Sequence, residues 1–332
     1  MNENMNIEYV DKIYKYMRNG SSVEEFMAKF HININELNGI LELCKIYGKN
    51  VDIVKKGDTI IFEKNNTRGV ITTKASLNSK ELVHSEFLVI SDTHFGNIHQ
   101  QLHLLNKVYE EAHNRGITTV LHCGDIVDGM YPNRPENPRQ QFLHGFDEQA
   151  GYVVDMYPYV EGITTKYILG SHDETHYKNG QATVNKWLSE CRKDMEYLGQ
   201  DYGNTNINGV KILMDHPGGG SAQSVSYKMQ KRIEILESNY KPNIHFVGHY
   251  HKSYSCVYRN VRGIEVPAFC DTTQFQQKQG LNNVIGAYFI NMWSDKKGNI
   301  QYFEPEEILF GEKDFWDEAG KDKNKIKQLV IK

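Results

Sequence analysis

Residues 87–94 read Phe-Leu-Val-Ile-Ser-Asp-Thr-His, and residues 120–128 read Val-Leu-His-Cys-Gly-Asp-Ile-Val-Asp. Each opens as a short apolar run, the composition of a strand buried on both faces, and then breaks into a turn that ends in acid or histidine. The pattern recurs three times more. Residues 166–169 run into Gly-Ser-His-Asp-Glu at 170–174, residues 210–214 into Asp-His-Pro at 215–217, and residues 244–247 into Gly-His-Tyr-His at 248–251. Open α/β sheets hold their ligands at the carboxyl ends of strands, so five such loops can meet at one place. Carboxylates with neutral imidazoles form a donor set for manganese, iron, zinc or nickel, and a carboxylate can serve two such cations at once.

Working outward, residues 98–115, 138–157 and 221–237 carry helical patterns, and 255–258, 264–268 and 287–293 read as further strands. Strands alternating with helices predict layered sheets with helices outside. Residues 65–85 are polar and without period, a linker. Before them, Ile7, Val10, Ile13, Tyr14 and Met17 recur at helical spacing, Ser22 and Glu25 form a capping box, and a third helix spans 34–47. Residues 51–54 and 59–63 then flank a Lys-Lys-Gly-Asp turn, a hairpin signature. Three helices and a hairpin predict a small winged helix-turn-helix module over 1–64. It holds nine Lys/Arg against ten Asp/Glu in residues 1–65, which leaves DNA and protein both open as its partner. A catalytic domain over 86–310 and a charged, fraying tail over 311–332 complete the expected organisation.

Composition sets limits on the class. The 39% hydrophobic and 24% charged residues suit a globular chain, no stretch approaches a membrane span, and the polar, acidic start is unlike a signal peptide. Five scattered cysteines without a Cys-x-x-Cys pair read as reduced thiols, so the chain is expected in the cytoplasm and away from membranes. A formal charge of −4 excludes a polycation, so contact with nucleic acid has to come from a local basic patch.

The series Asp92-x-His94, Gly124-Asp125-x-x-Asp128, Gly170-Ser171-His172-Asp173, His216 and Gly248-His249-x-His251 resembles the calcineurin-like metallophosphoesterase superfamily over roughly residues 85–290. The resemblance implies a four-layer α-β-β-α sandwich and a dinuclear centre of divalent ions, manganese foremost, with iron, zinc, nickel or magnesium as alternatives. It implies that Asp92, His94, Asp125 and His251 hold the first ion, and that Asp125, Ser171, His216 and His249 surround the second. His172 matches the family's catalytic histidine and Asp128 its orienting carboxylate, expected to raise the imidazole pKa. Asp173 and Glu174 would support the ligands from behind. One position departs from the family pattern, since Ser171 stands where the family has asparagine, a weaker donor.

The resemblance further implies a phosphoesterase. Gly129 stands where the Ser/Thr protein phosphatases of the superfamily carry a phosphate-clamping arginine, which favours phosphodiesterase or nuclease action on DNA or RNA. A nucleotide phosphatase, a cyclic-nucleotide phosphodiesterase and a catalytically weak adaptor are the alternatives. Gly218, Gly219 and Gly220 at a helix start suit an anion cradle. Lys228, Lys231 and Arg232, with Tyr131, Asn133, Arg134 and Arg139 of the segment after Asp128, suit a nucleic-acid groove beside the metals. The stretches around 124–132 and 217–232 also resemble phage and archaeal metallophosphoesterases, including the small exonuclease subunit of archaeal D-family DNA polymerases.

Overall fold

The computed structural model describes residues 7–19, 21–46, 49, 51–56, 59–64, 82–134, 137–220, 224–237, 241–311 and 328–332. The chain divides into two compact units, Met1–Leu77 and Asn78–Lys332.

In the first unit, helices Ile7–Met17, Val23–Phe30 and Ile34–Ile46 precede an antiparallel hairpin of Val51–Lys56 and Thr59–Lys64. The expected capping box is present: the Glu25 amide donates to Ser22 Oγ at 3.1 Å, and the Ser22 amide donates to Glu25 Oε2 at 3.3 Å. Val10, Ile13, Met17, Phe26, Leu37 and Phe62 give this unit a core of its own.

In the second unit, strand Val83–Ile90 occupies the middle of a six-stranded sheet. Thr119–Cys123, Thr164–Leu169 and Met195–Gln200 continue parallel on one side; on the other, Gly286–Ser294 pairs antiparallel with it and Ile300–Leu309 antiparallel with Gly286–Ser294. A second sheet has Val210–Asp215, Ile244–Val247 and Val261–Glu265 parallel at its centre, with Tyr202–Ile207 and Tyr254–Tyr258 antiparallel at its edges. Because side chains alternate along a strand, Phe87 and Val89 point into the core between the sheets with Ile212, Phe246 and Ile264. Leu88 and Ile90 point the other way, into a core shared with helices Leu102–Asn114, Gly145–Met156 and Val184–Cys191. Beyond the second sheet, Met229 and Ile233 of helix Val225–Glu234 cover Val247 and Val261. The layers therefore run helix, sheet, sheet, helix. Phe87, Leu88, Val89 and Ile90 have no exposed surface, a burial of about 1.5–3 kcal/mol for each such side chain.

Several expectations shift. The first strand of the second unit starts at Val83, inside the expected linker, of which 65–81 lie outside the described residues. The helix expected over 98–115 begins only at Leu102, because residues 91–101 form the ligand-bearing loop. The strand expected at 264–268 is Val261–Glu265. Helix 221–237 is described only as Val225–Glu234. The tail does not fray throughout: Val330–Ile331 pairs in parallel with Tyr159–Val160, and Gln328 Nε2 donates to the Tyr157 carbonyl at 2.8 Å.

That carbonyl belongs to a buried polar knot. Arg192 donates to the carbonyls of Tyr157 at 3.0 Å and Pro158 at 2.9 Å and forms a two-pronged pair with Asp194. Replacing it would strand the Asp194 carboxylate and the Pro158 carbonyl together. Arg192→Leu is expected to lower unfolding free energy by about 3–5 kcal/mol in urea titration, and an unchanged midpoint would contradict this role.

Candidate metal centre

Three of the five ligand-bearing loops leave their strands through a backbone conformation that side chains rarely adopt. Asp92, His94, Asp125, His249 and His251 have φ of 52°, 45°, 54°, 74° and 52°, in the left-handed region. Such residues cost about 1–3 kcal/mol each and persist where the surroundings fix them. Here main-chain bonds do so: the Asp92 amide donates to Gly124 O at 3.0 Å and the His94 amide to Asp125 O at 3.1 Å. The His249 amide donates to Asp92 Oδ2 at 3.0 Å, and the His172 amide to Asp125 Oδ1 at 2.7 Å.

The side chains converge in three groups, Asp92 with His94 and His251, Asp125 with His216 and His249, and His94 with Asp128 and His172, each group's donor atoms within 4.8 Å of one another; the first two consist of expected metal ligands. His251 Nε2 lies 3.0 Å from Asp92 Oδ1 and 3.3 Å from His94 Nε2, and His216 Nε2 lies 2.9 Å from Asp125 Oδ2. His216 Nε2 also stands 4.0 Å from Asp92 Oδ1, so the groups adjoin. Asp125, expected to serve both ions, falls in the second group. Ser171 opens helix Ser171–Gly180 and its hydroxyl lies against that of Tyr131.

Electrostatics at this floor are set by burial against pairing. Burial works to raise the carboxyl of Asp92, but His251, His94 and His216 overcome it and hold the group well below the usual range. Asp125 is lowered in the same way by His216 and His172. Burial acts downward on His94 and His216, yet Asp128 and Asp92 lift the first and Asp125 the second to about 10. The carboxylates thus demand positive charge beside them.

The residues fit a metal. His216 Nδ1 donates to the Cys123 carbonyl at 2.7 Å, which turns its buried Nε2, outside hydrogen-bond geometry, towards the carboxylates, where a cation would take the place of its proton. Imidazole lone pairs and carboxylate oxygens facing one small volume are what a divalent transition ion binds.

Asp128 acts differently from expectation. Its carboxylate accepts from Asn97 Nδ2 at 2.9 Å and Gln141 Nε2 at 2.6 Å, with His94 Nδ1 at 3.4 Å. Its main-chain carbonyl, instead, accepts from His172 Nδ1 at 2.6 Å, while the nearer carboxylate oxygen is 3.9 Å from that nitrogen. Asp128 works to raise the His172 pKa, as expected, but burial outweighs it and pushes this imidazole down to about 4. Asp173 accepts from the amides of Gly170, Ile126 and Val127, behind the ligand-bearing loops. Glu174 points outward to Lys178.

The floor opens into a cavity of about 510 Å³. Gly218, Gly219, Gly220, Lys228, Tyr131 and Arg134 line it. The glycines do not cradle an anion at a helix start, because the helix begins at Val225 and the Gly219 carbonyl accepts from His249 Nε2 at 2.8 Å. Lys231 is exposed, about 200° around the helix from buried Met229, and does not line the cavity. Arg232 is taken by Asp215, at 2.7 and 2.5 Å. Asn133 and Arg139 are exposed and away from the lining. Four residues passed unnoticed in the sequence: Phe275 and Lys252 in the wall, Gln276, which lies 3.1 Å from His251 Nδ1, and Asn97. Only Asn97 carries a signal, its place three residues after His94.

Residues 86–270, more than half of the chain, match the calcineurin-like phosphoesterase superfamily domain. The chain belongs to this superfamily. Its members use a dinuclear metal centre, and the first two groups above could each hold a metal ion. Solved structures similar to this one include an archaeal phosphodiesterase, 16% identical with a TM-score of 0.39, covering 68% of this chain and 99% of its own. Zinc-bound Vps29 from Entamoeba histolytica is 14% identical with a TM-score of 0.35 and the same coverages. A 5′-nucleotidase precursor from Thermus thermophilus is 12% identical with a TM-score of 0.36, covering 69% of this chain and 55% of its own. No curated protein matches the chain.

Glycines in the superfamily signature have a steric reason in this chain. A Cβ at Gly170 would sit 2.3 Å from Asp125 Oδ1 and 2.7 Å from His216 Nε2. Gly170→Ala is therefore expected to lose bound metal, at least one ion per chain by elemental analysis, with far-ultraviolet circular dichroism unchanged. Full metal content in the variant would show that the ligands move aside freely.

Proposed function

We propose that the chain is a dinuclear-metal phosphodiesterase acting on nucleic acid. The observation that carries this reading is the composition of the cavity above the ligands: Arg134, Lys228 and Lys252 alternate in its wall with Tyr131, Tyr250 and Phe275. Cations interleaved with aromatic faces suit a phosphate backbone with bases beside it. The volume exceeds what a lone phosphate needs.

Asp92, His94, Asp125 and His251 would hold one ion, and Asp125, Ser171, His216 and His249 the other, with manganese the expected metal. When bound, the ions supply Lewis acidity, an activated water and charge neutralisation at the phosphate. The chain's own residues do the remainder. Asp128, through its carbonyl, fixes the His172 ring so that Nε2 is the nitrogen left to serve the leaving oxygen. The edge contact of Tyr131, ring centres 4.8 Å apart, holds the same ring from the other side. On this reading the three-helix and hairpin unit is a winged helix that positions substrate.

The test is Mn²⁺-dependent hydrolysis of bis-p-nitrophenyl phosphate beside the monoester, in the wild type and in Asp125→Asn. Diester turnover is expected to fall more than about a hundredfold in the variant. Faster monoester turnover would turn the reading to a nucleotide phosphatase, and no turnover of either ester by metal-loaded protein would turn it to an adaptor. The free protein holds His172 neutral with its proton on Nδ1, so Nε2 serves the leaving oxygen only after taking up a proton beside the bound phosphate; His172→Ala is then expected to slow esters with alkoxide leaving groups far more than nitrophenyl esters, since only the former need that proton. Equal losses on both would remove His172 from that step.

A further inference from the structure

Arg134 has an unusual setting. Its guanidinium carbon lies 4.3 Å from the centre of the Tyr131 ring and 4.6 Å from that of Phe275. The rings come from separate elements. Tyr131 belongs to the segment after Asp128, whose turns are closed by the Arg134 amide on Tyr131 O and the Asn137 amide on Arg134 O, both at 3.0 Å. Phe275 belongs to helix Gln274–Lys278, held by a capping box between Thr273 and Gln276. Among the described residues no carboxylate pairs with Arg134 and no acceptor takes its side-chain N–H groups. The other arginine beside the site, Arg232, is fully committed to Asp215.

A guanidinium with aromatic rings against it keeps its N–H groups in its own plane, free for a bidentate acceptor. Two rings also fix the side chain beforehand, so little conformational entropy remains to be lost on binding. Phosphate is the acceptor that matches both fork and charge in a cavity of this chemistry. The position says which phosphate. Tyr131 touches both Arg134 and His172, so the guanidinium reaches the imidazole through that ring and is placed for a phosphate beside the one that His172 serves. On the other side, Phe275 adjoins Gln276, which contacts His251.

Resting on the phosphoesterase reading above, we propose that Arg134, flanked by Tyr131 and Phe275, binds a second phosphate of the substrate, next to the one cleaved. Substrates then carry two neighbouring phosphates, either along a polynucleotide strand or in a nucleotide anhydride.

The experiment compares three p-nitrophenyl esters on the Mn²⁺-loaded full chain: that of thymidine 5′-phosphate, the same ester bearing a 3′-phosphate, and that of thymidine 5′-diphosphate. One of the two-phosphate esters is expected to exceed the first in kcat/KM by about tenfold or more, and Arg134→Gln to cut that ratio by a similar factor. Preference for the 3′-phosphate identifies a strand, and preference for the diphosphate an anhydride. An unchanged ratio in Arg134→Gln overturns the proposal. Should the wild type hydrolyse none of the three, the phosphodiesterase reading fails by itself. Calorimetric binding of thymidine 3′,5′-bisphosphate then decides: affinity weakened about tenfold in Arg134→Gln sustains the second-phosphate site, and equal affinity overturns it.

Discussion

Asp92 is wholly buried and accepts from the Ser91 hydroxyl, from the His249 amide and from the His251 ring. A carboxylate so placed would be expensive alone, and its neighbours exist in the form they do because of it. The His249 amide reaches it only because His249 takes a left-handed turn, and the Gly248 backbone fits only because a Cβ there would meet Ser91 Oγ at 2.3 Å. Asp125 imposes the same conditions on Gly170 and His172. The loops that look irregular are therefore the most constrained parts of the molecule, and the regular strands beneath them hold their starting points in register.

Asp128 shows how one residue can serve two tasks without compromise. Its carboxylate is saturated by Asn97 and Gln141 and faces His94, while its carbonyl holds His172. The side chain is thus spent on the metal side of the site and the main chain on the substrate side. A peptide carbonyl cannot lose or gain a proton, so the orientation of His172 does not depend on the ionisation of its partner.

Much of this was legible in the sequence, and the reasons for the remainder are physical. The five ligand loops and their strands could be read because acids and histidines followed short apolar runs, and the fold places those strand ends together. Tyr202–Ile207 and Ile300–Leu309 could not, since edge strands with one solvated face are mostly polar: the first reads Tyr-Gly-Asn-Thr-Asn-Ile. Helix Ser171–Gly180 has almost no apolar face, because its first turn serves the site. The substrate side was half visible. Arg134 was noticed as a cation, but its partner Phe275 lies well over a hundred residues on, in a five-residue helix with no periodicity to find. Lys231 and Arg232 looked equivalent to Lys228 because a run of bases does not say which one a distant Asp215 will claim.

The pairing of Val83–Ile90 with Gly286–Ser294 joins the two ends of the catalytic unit across its central sheet. During synthesis the first strand therefore emerges long before its antiparallel neighbour, with about two hundred residues still to be made. Its apolar faces can be covered early on the parallel side, by Thr119–Cys123, but the sheet closes only when the late strands arrive. Closure of this sheet waits on a non-local contact, which makes folding of the unit slow relative to one built from local pairings.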